Sequence, residues 1–376
     1  MILRFGGKNF CSFKEGFEVD LSLREKNSVT NVLAVKGANA SGKTNVLKMV
    51  QFIQSFALNS FADLKPDEKI PVDSFFRSGD TTEMFMVFIK EGVEYKYELS
   101  LTNTEVVSEI FSKKDKRETR IIERYKNEIL KTTNEYRELK TIKQRSNVSL
   151  LSMALQHDLD SIKPLAGLFR LLKTNVYLFG RREQKLNNHD SFSKFYHENP
   201  DMFKFAIDVL KKADTGIEGI EIMESKDDES EEISYIPIFN FMTNKKKEFL
   251  TFYDQSSGTK ALYLQLADYA LTLFLGATLV LDEFDINLHP DLLPMLIDFF
   301  DDPAKNTKNA QLIFTTHNTE IMDKLGKYKV VFVNKQDNES FLYRLDEIPG
   351  DIIRNDRPIS PVYNAGKIGG KPKIKL

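Results

Sequence analysis

The chain has 376 residues, a formal net charge of −2 and a single cysteine, Cys11. That length admits two domains, or one large domain with an insertion. The charge rules out a polycation, so any contact with nucleic acid has to come from a local patch. One cysteine excludes a disulfide framework and a Cys-x-x-Cys metal site within the chain. No apolar run reaches the length of a membrane span, and Met1-Ile-Leu-Arg-Phe lacks the apolar core of a signal peptide, so a cytoplasmic protein without a membrane segment is expected.

Residues 1–35 read as strands. Phe17, Val19, Leu21 and Leu23 alternate, and Asn31-Val-Leu-Ala-Val is a short buried run. It leads straight into Gly37-Ala-Asn-Ala-Ser-Gly-Lys43-Thr44, the pattern G-x-x-x-x-G-K-T. Val46, Leu47, Val50, Ile53 and Phe56 then mark a helical stripe. Strand, glycine loop and helix start form a phosphate cradle: the loop turns its N–H groups inward and the helix N-terminus adds partial positive charge. Gly37, Asn39, Ala40, Ser41 and Gly42 supply that backbone, Lys43 is assigned to the β- and γ-phosphates of ATP, and the Thr44 hydroxyl to Mg²⁺.

Residues 57–82 read as a mixed loop, with Pro66 and Pro71. Two strands from Met84 to Leu101 turn at Glu91-Gly92, and further strands are expected over Val106–Phe111 and Ile121–Tyr125 with a turn at Lys113–Arg117. From Asn134 to Lys212 the pattern is helical. The cations from Lys131 to Arg145 read either as a solvated helix face or as a nucleic-acid face. Strands resume at Ile217–Ile222, Tyr235–Phe239 and Phe249–Phe252, with an acidic loop at Asp227–Glu232. Three spans follow: 1–110 as an N-terminal lobe, 111–215 as a mainly helical insertion, and 216–376 as a C-terminal lobe.

Gln255-Ser256-Ser257-Gly258-Thr259-Lys260 opens an apolar helix. It is either a plain serine cap or a second anion site. Ala277-Thr-Leu-Val-Leu is an unalternated buried strand ending in Asp282 and Glu283. Adjacent carboxylates there are costly unless a cation or substrate uses them; Asp282 is the candidate Mg²⁺ ligand and Glu283 the candidate for polarising water. A helix follows around Leu292–Phe300. Gln311-Leu-Ile-Phe-Thr-Thr-His317 is a further buried strand whose terminal histidine is a candidate γ-phosphate contact. Val330–Asn334 and Phe341–Arg344 read as edge strands, and Lys367, Lys371, Lys373 and Lys375 make a basic tail.

In this order the motifs resemble the ABC-class ATPases, the group of SMC, RecF-type and OLD-type proteins. Gly37–Thr44 is similar to their Walker A loop, Ser256-Ser-Gly-Thr-Lys to the signature motif, Leu279–Glu283 to Walker B, Asp285–Pro290 to the D-loop and Thr316-His317 to the H-loop. Asn9–Lys14 resembles their first hairpin; no glutamine matches the Q-loop. The resemblance implies an α/β fold, an ABC-type P-loop head with a mixed, largely parallel core sheet, an antiparallel β-subdomain and a helical insertion. It also implies a homodimer sandwiching two ATP, with Ser256, Ser257, Gly258 and Asp285 acting on the nucleotide bound to the other chain. Glu283 and His317 are the catalytic pair in that scheme.

One cysteine, the short insert and some sixty residues after His317 set the chain apart from zinc-hook, SMC and nuclease-bearing relatives. What remains resembles the compact defence ATPases of the AriA (PARIS), AbiL and RloA type. That likeness implies an antiviral, abortive-infection role: an ATPase that forms higher homo-oligomers, responds to a phage-encoded trigger, and holds or releases a separate effector, a Toprim-family nuclease. The alternative is an SMC/RecF-like DNA repair or recombination ATPase acting directly on DNA.

Overall fold

The computed structural model describes residues 1–23, 28–182, 189–213, 215–226, 233–349, 352–354 and 357–371. The chain divides into two compact units, one of residues 1–182, 280–284 and 311–376, the other of 183–279 and 285–310. This partition cuts across the three spans read from the sequence.

Two large sheets lie mainly in the first unit, which also holds the small antiparallel pairs Ser22–Leu23 with Ser28–Val29 and Val176–Tyr177 with Gly180–Arg181. The core sheet runs in the order Leu172–Thr174, Thr278–Leu281, Gln311–Thr315, Val32–Gly37, Val330–Gln336, Glu339–Arg344. Val32–Gly37 pairs in parallel with Gln311–Thr315 on one side and Val330–Gln336 on the other, and Glu339–Arg344 closes the edge antiparallel. Val330–Gln336 is therefore an internal strand rather than an edge, which its wholly apolar Val330–Val333 run requires. The second sheet has seven antiparallel strands, from Glu128–Thr132 at one edge through Glu118–Tyr125, Val106–Lys114, Val93–Leu101, Thr82–Lys90 and Ile2–Lys8 to Phe17–Asp20. Its central hairpin turns at Glu91 and Gly92, both with positive φ (52° and 79°), the two-residue geometry that matches strand twist.

The helix Lys43–Asp63 lies in the core shared by these sheets. Its Val46, Leu47, Val50, Ile53 and Phe56 are buried with Leu33, Val35, Val280 and Ile313 of one sheet and Phe5, Met84, Met86 and Phe88 of the other. It runs about two turns into the loop expected from residue 57, and stops at Leu64, which is extended, two residues before Pro66.

The span 111–215 is less helical than its composition implies. Its first part is strand, up to Thr132; two short helices, Leu150–Gln156 and Lys163–Arg170, follow a 3₁₀ turn. Then Leu172–Thr174 joins the core sheet, and Val176–Tyr177 pairs with Gly180–Arg181. Periodicity alone does not separate such short apolar strands from helix.

A buried ion pair fastens the short helices to the antiparallel sheet. Glu109 and Arg124 are both fully buried and meet at 3.3 Å. Glu109 also accepts from the Tyr97 hydroxyl (2.9 Å), the Ser149 hydroxyl (2.7 Å) and the Leu150 amide (2.8 Å), while Arg124 donates to the carbonyls of Lys126, Arg145 and Val148. Burial draws the guanidinium below its usual value, and Glu109 opposes that shift. Every charged oxygen and nitrogen needs its partner in so dry a place.

In the second unit, Gly219–Lys226, Ile233–Thr243 and Lys246–Thr251 form an antiparallel sheet. Phe252, expected at the end of the last strand, instead starts a 3₁₀ turn capped by Thr251 and Asp254. Helices His189–Glu198, Pro200–Lys212, Ser257–Leu275 and Leu292–Asp301 complete the unit. The Tyr196 hydroxyl donates to the Tyr263 carbonyl (2.8 Å), and the Tyr269 and Phe300 rings pack edge-on. Ser257–Leu275 ends at Gly276, whose φ of 65° and close approach to the Lys308 carbonyl exclude a side chain. The acidic loop Asp227–Glu232, and Lys373 and Lys375 of the tail, lie outside the described residues. Among those described, no helix is long and apolar enough to cross a membrane.

Arg124→Met is expected to lower unfolding stability by about 3–5 kcal/mol, because it strands Glu109 as an unpaired buried charge. Urea denaturation followed by circular dichroism measures this, and an unchanged midpoint would contradict the structural role of the pair.

Candidate functional site

The first unit brings together the glycine loop and the two strand-end carboxylates. The loop leaves the fully buried strand Val32–Gly37 and enters the helix at Lys43. Two glycines are obligatory. A Cβ on Gly37 would lie 2.2 Å from the Val333 carbonyl, and Gly42, at φ 110°, faces the Ser12 and Ser340 hydroxyls. Those serines support the loop from behind: the Ser340 hydroxyl donates to the Ser41 carbonyl (2.6 Å) and is hydrogen-bonded to the Ser12 hydroxyl (2.7 Å), which accepts from Asn45 (2.8 Å). Ser12 belongs to the tight Phe10–Phe13 bridge of the opening hairpin, so the Asn9–Lys14 segment acts as a buttress for the loop.

Asn39 and Ala40 are exposed at the loop's tip, Ala40 with a φ of 58°. The Lys43 ammonium turns back onto the loop and donates to the Gly37 (3.0 Å) and Ala38 (2.9 Å) carbonyls. The Ser41 hydroxyl is buried with no hydrogen-bond partner.

Asp282 follows directly on the strand Thr278–Leu281 and is 4% exposed. Its Oδ2 accepts from the Thr44 hydroxyl at 2.8 Å and its Oδ1 from the Thr315 hydroxyl at 2.6 Å. Its peptide is clamped from the other side: the amide donates to Asn175 Oδ1 (2.7 Å) and the carbonyl accepts from Asn175 Nδ2 (3.0 Å). Glu283 is held in the left-handed region (φ 52°), its amide donating to Thr315 Oγ1 (2.7 Å), and its carboxylate meets Arg181 Nε at 2.8 Å. Phe284 then returns to the core against Phe314.

His317 stands two residues beyond its strand, which ends at Thr315 rather than at the histidine, and is exposed. Its carbonyl, with that of Asn318, accepts from the buried Lys36 ammonium (3.0 Å each).

The remaining candidates belong to the second unit. Ser256 caps the helix Ser257–Leu275, its hydroxyl accepting from the Thr259 amide at 3.2 Å. Ser257 and Gly258 form the first turn. A Cβ on Gly258 would sit 3.4 Å from the Asn287 carbonyl, so the segment beginning at Asp285 packs beside that helix start.

Four residues of the first unit escaped the sequence reading: Asn175, Arg181, Thr315 and Lys36. Thr315 lay inside a run recognised only as strand. Asn175 and Arg181 sit in no motif, and only the Arg181-Arg182 pair beside a glycine stands out in their stretch.

The residues present fit a Mg²⁺–nucleoside triphosphate. A loop with an orphaned buried hydroxyl faces no protein partner for it, and Thr44 and Asp282 offer the hard oxygens that Mg²⁺ takes alongside phosphate.

Residues 32–323 match the family model described as "AAA domain, putative AbiEii toxin, Type IV TA system". No curated protein sequence matches the chain. Among solved structures, the Smc head bound to the C-terminal winged-helix domain of ScpA is 14% identical, with 91% of this chain and 97% of that chain covered and a TM-score of 0.53. Two further Smc heads are 12% identical: one from Pyrococcus furiosus, bound to a ScpA domain (TM-score 0.47, 91% and 96% covered), and one from Pyrococcus yayanosii (TM-score 0.49, 97% and 99% covered). The first likeness establishes the fold, that of an ABC-type ATPase head; the other two scores are too low to add to it.

Lys43→Ala is expected to abolish binding of a fluorescent ATP analogue while leaving the melting temperature close to that of the parent. Retained tight binding would remove the glycine loop from consideration as the nucleotide cradle.

Proposed function

The chain belongs to the AAA-domain family associated with AbiEii-type toxins of type IV toxin–antitoxin systems, and on that premise we propose that it binds and hydrolyses ATP as the sensor and scaffold of an antiviral, abortive-infection system. The observation that carries the ATPase reading is the 2.8 Å bond between Thr44 and Asp282. It joins the start of the loop helix to the end of a buried strand 238 residues away, which is the pairing a phosphate-bound metal requires.

In this reading the loop amides and the first turn of Lys43–Asp63 hold phosphate oxygens. Lys43 exchanges the Gly37 and Ala38 carbonyls for the β- and γ-phosphates. Thr44 and Asp282 would hold Mg²⁺, which would neutralise charge on those phosphates. Glu283 accepts the proton of the attacking water, and His317 donates to the γ-phosphate.

Ser256, Ser257 and Gly258 present a helix N-terminus to the γ-phosphate bound by a second copy, with Asp285 beside it. Two copies thus clasp two ATP, and such dimers build a larger homo-oligomer. The Smc head is described with ScpA bound; here the corresponding protein partner is a separate effector, a Toprim-family nuclease, released in the cytoplasm when a phage protein is sensed. The family's description as a putative toxin of a toxin–antitoxin system supports a toxic output in that reading.

Glu283→Gln is expected to retain ATP and to become a dimer or a multiple of dimers on addition of Mg-ATP. Multi-angle light scattering with and without nucleotide measures this, and a monomer under both conditions would defeat the two-copy site.

A further inference from the structure

Arg181 is not part of any motif, yet it meets the Glu283 carboxylate, Nε to Oε2 at 2.8 Å. Its arrival there is a product of a short hairpin. Asn175 is bonded through its amide side chain to both sides of the Asp282 peptide. From that root the chain runs through Val176–Tyr177, turns, and comes back through Gly180–Arg181, with Val176 paired to Arg181 and Tyr177 to Gly180. The Arg182 amide closes the hairpin on the Asn175 carbonyl at 2.8 Å. The hairpin that carries Arg181 is thus rooted on the peptide next to Glu283, and the guanidinium and the carboxylate sit on one hydrogen-bonded frame.

Glu283 needs such a frame. Its backbone is fixed, by a left-handed φ of 52° and by the bond from its amide to Thr315. Its side chain is partly exposed, 41%, and carries three rotatable bonds. A carboxylate that has to receive a proton from a water at one point in space loses rate when those torsions wander. Nε of Arg181, a side chain only 19% exposed, takes Oε2 and leaves Oε1 for the water.

We propose that Arg181 is a positioning residue for hydrolysis, which holds the Glu283 carboxylate in its working orientation without touching the nucleotide. The inference rests on the reading of Glu283 as the group that accepts the water's proton.

Single-turnover hydrolysis of Mg-ATP by the full chain tests it. Arg181→Ala is expected to lower the hydrolysis rate about 10- to 100-fold, with nucleotide affinity and melting temperature unchanged. Arg181→Lys, which keeps the charge but not the planar guanidinium that presents Nε, is expected to recover part of the loss. In a Glu283→Gln background, Arg181→Ala is expected to add nothing, since two residues acting as a unit are not additive.

A faster rate in Arg181→Ala, a weakened nucleotide affinity, or a loss that adds in full to that of Glu283→Gln would each overturn the proposal. An unaltered rate in Arg181→Ala while Glu283→Gln is inactive would overturn it and leave the role of Glu283 standing. Undiminished hydrolysis by Glu283→Gln, or no hydrolysis by the unaltered chain, would remove that role and this proposal together.

Discussion

The Asp282 carboxylate is the constraint around which the first unit is arranged. It is almost wholly withdrawn from water, and desolvating a carboxylate is expensive unless every oxygen finds a donor. Two hydroxyls supply those donors, Thr44 from the loop helix and Thr315 from the neighbouring strand, while Asn175 fixes the peptide that carries it. Four segments remote in sequence are therefore registered on one residue. Thr315 serves twice, donating to Asp282 and accepting from the Glu283 amide, so the relative placement of the two acids is set by a single hydroxyl.

Packing delivers those segments to the same place. The loop strand is buried at every residue and lies between two parallel neighbours, which puts Gly37 and Thr315 at corresponding ends of the sheet. The helix that follows is held on both sides by apolar side chains of the two sheets. Its N-terminus has little freedom to drift from Asp282, and the Ser12–Ser340–Asn45 bonds restrain the loop from outside. A rigid cradle of this kind suits a ligand whose recognition depends on many backbone donors aimed at once.

The parts of this site that were legible in the sequence are those written in contiguous residues. Gly37–Thr44 was readable because two glycines, a lysine and a threonine must stand at fixed offsets for the backbone to turn as it does; Asp282 and Glu283 were readable because carboxylates are out of place after an unbroken apolar strand. The antiparallel hairpin at Glu91-Gly92 announced itself through alternation and its turn residues. Asn175, Arg181 and Thr315 were not legible, since their importance lies in partners about 30 to 110 residues away and their own surroundings look ordinary. The strand Leu172–Thr174 was hidden for a related reason: three residues carry too little periodicity to be told from the helices before and after it. For the helix start at Ser256, the capping alternative is realised in the bond to Thr259, yet the first-turn amides of the helix are distinct donors and that bond does not consume them all.

The state of Lys43 bears on how tightly such a cradle can bind. Its ammonium is nearly buried and already bonded to two loop carbonyls. A phosphate that captures the lysine replaces those bonds instead of adding to an empty site, so only the difference between a charge-assisted bond to phosphate and a bond to a carbonyl appears as affinity. The same reasoning applies to the Thr44 hydroxyl, which leaves Asp282 Oδ2 if it turns to a metal. By contrast, the Ser41 hydroxyl has no bond to give up. Bonding the cradle to itself satisfies its buried polar groups, so the share of affinity from Lys43 and Thr44 is a difference between bonds rather than a gain of new ones.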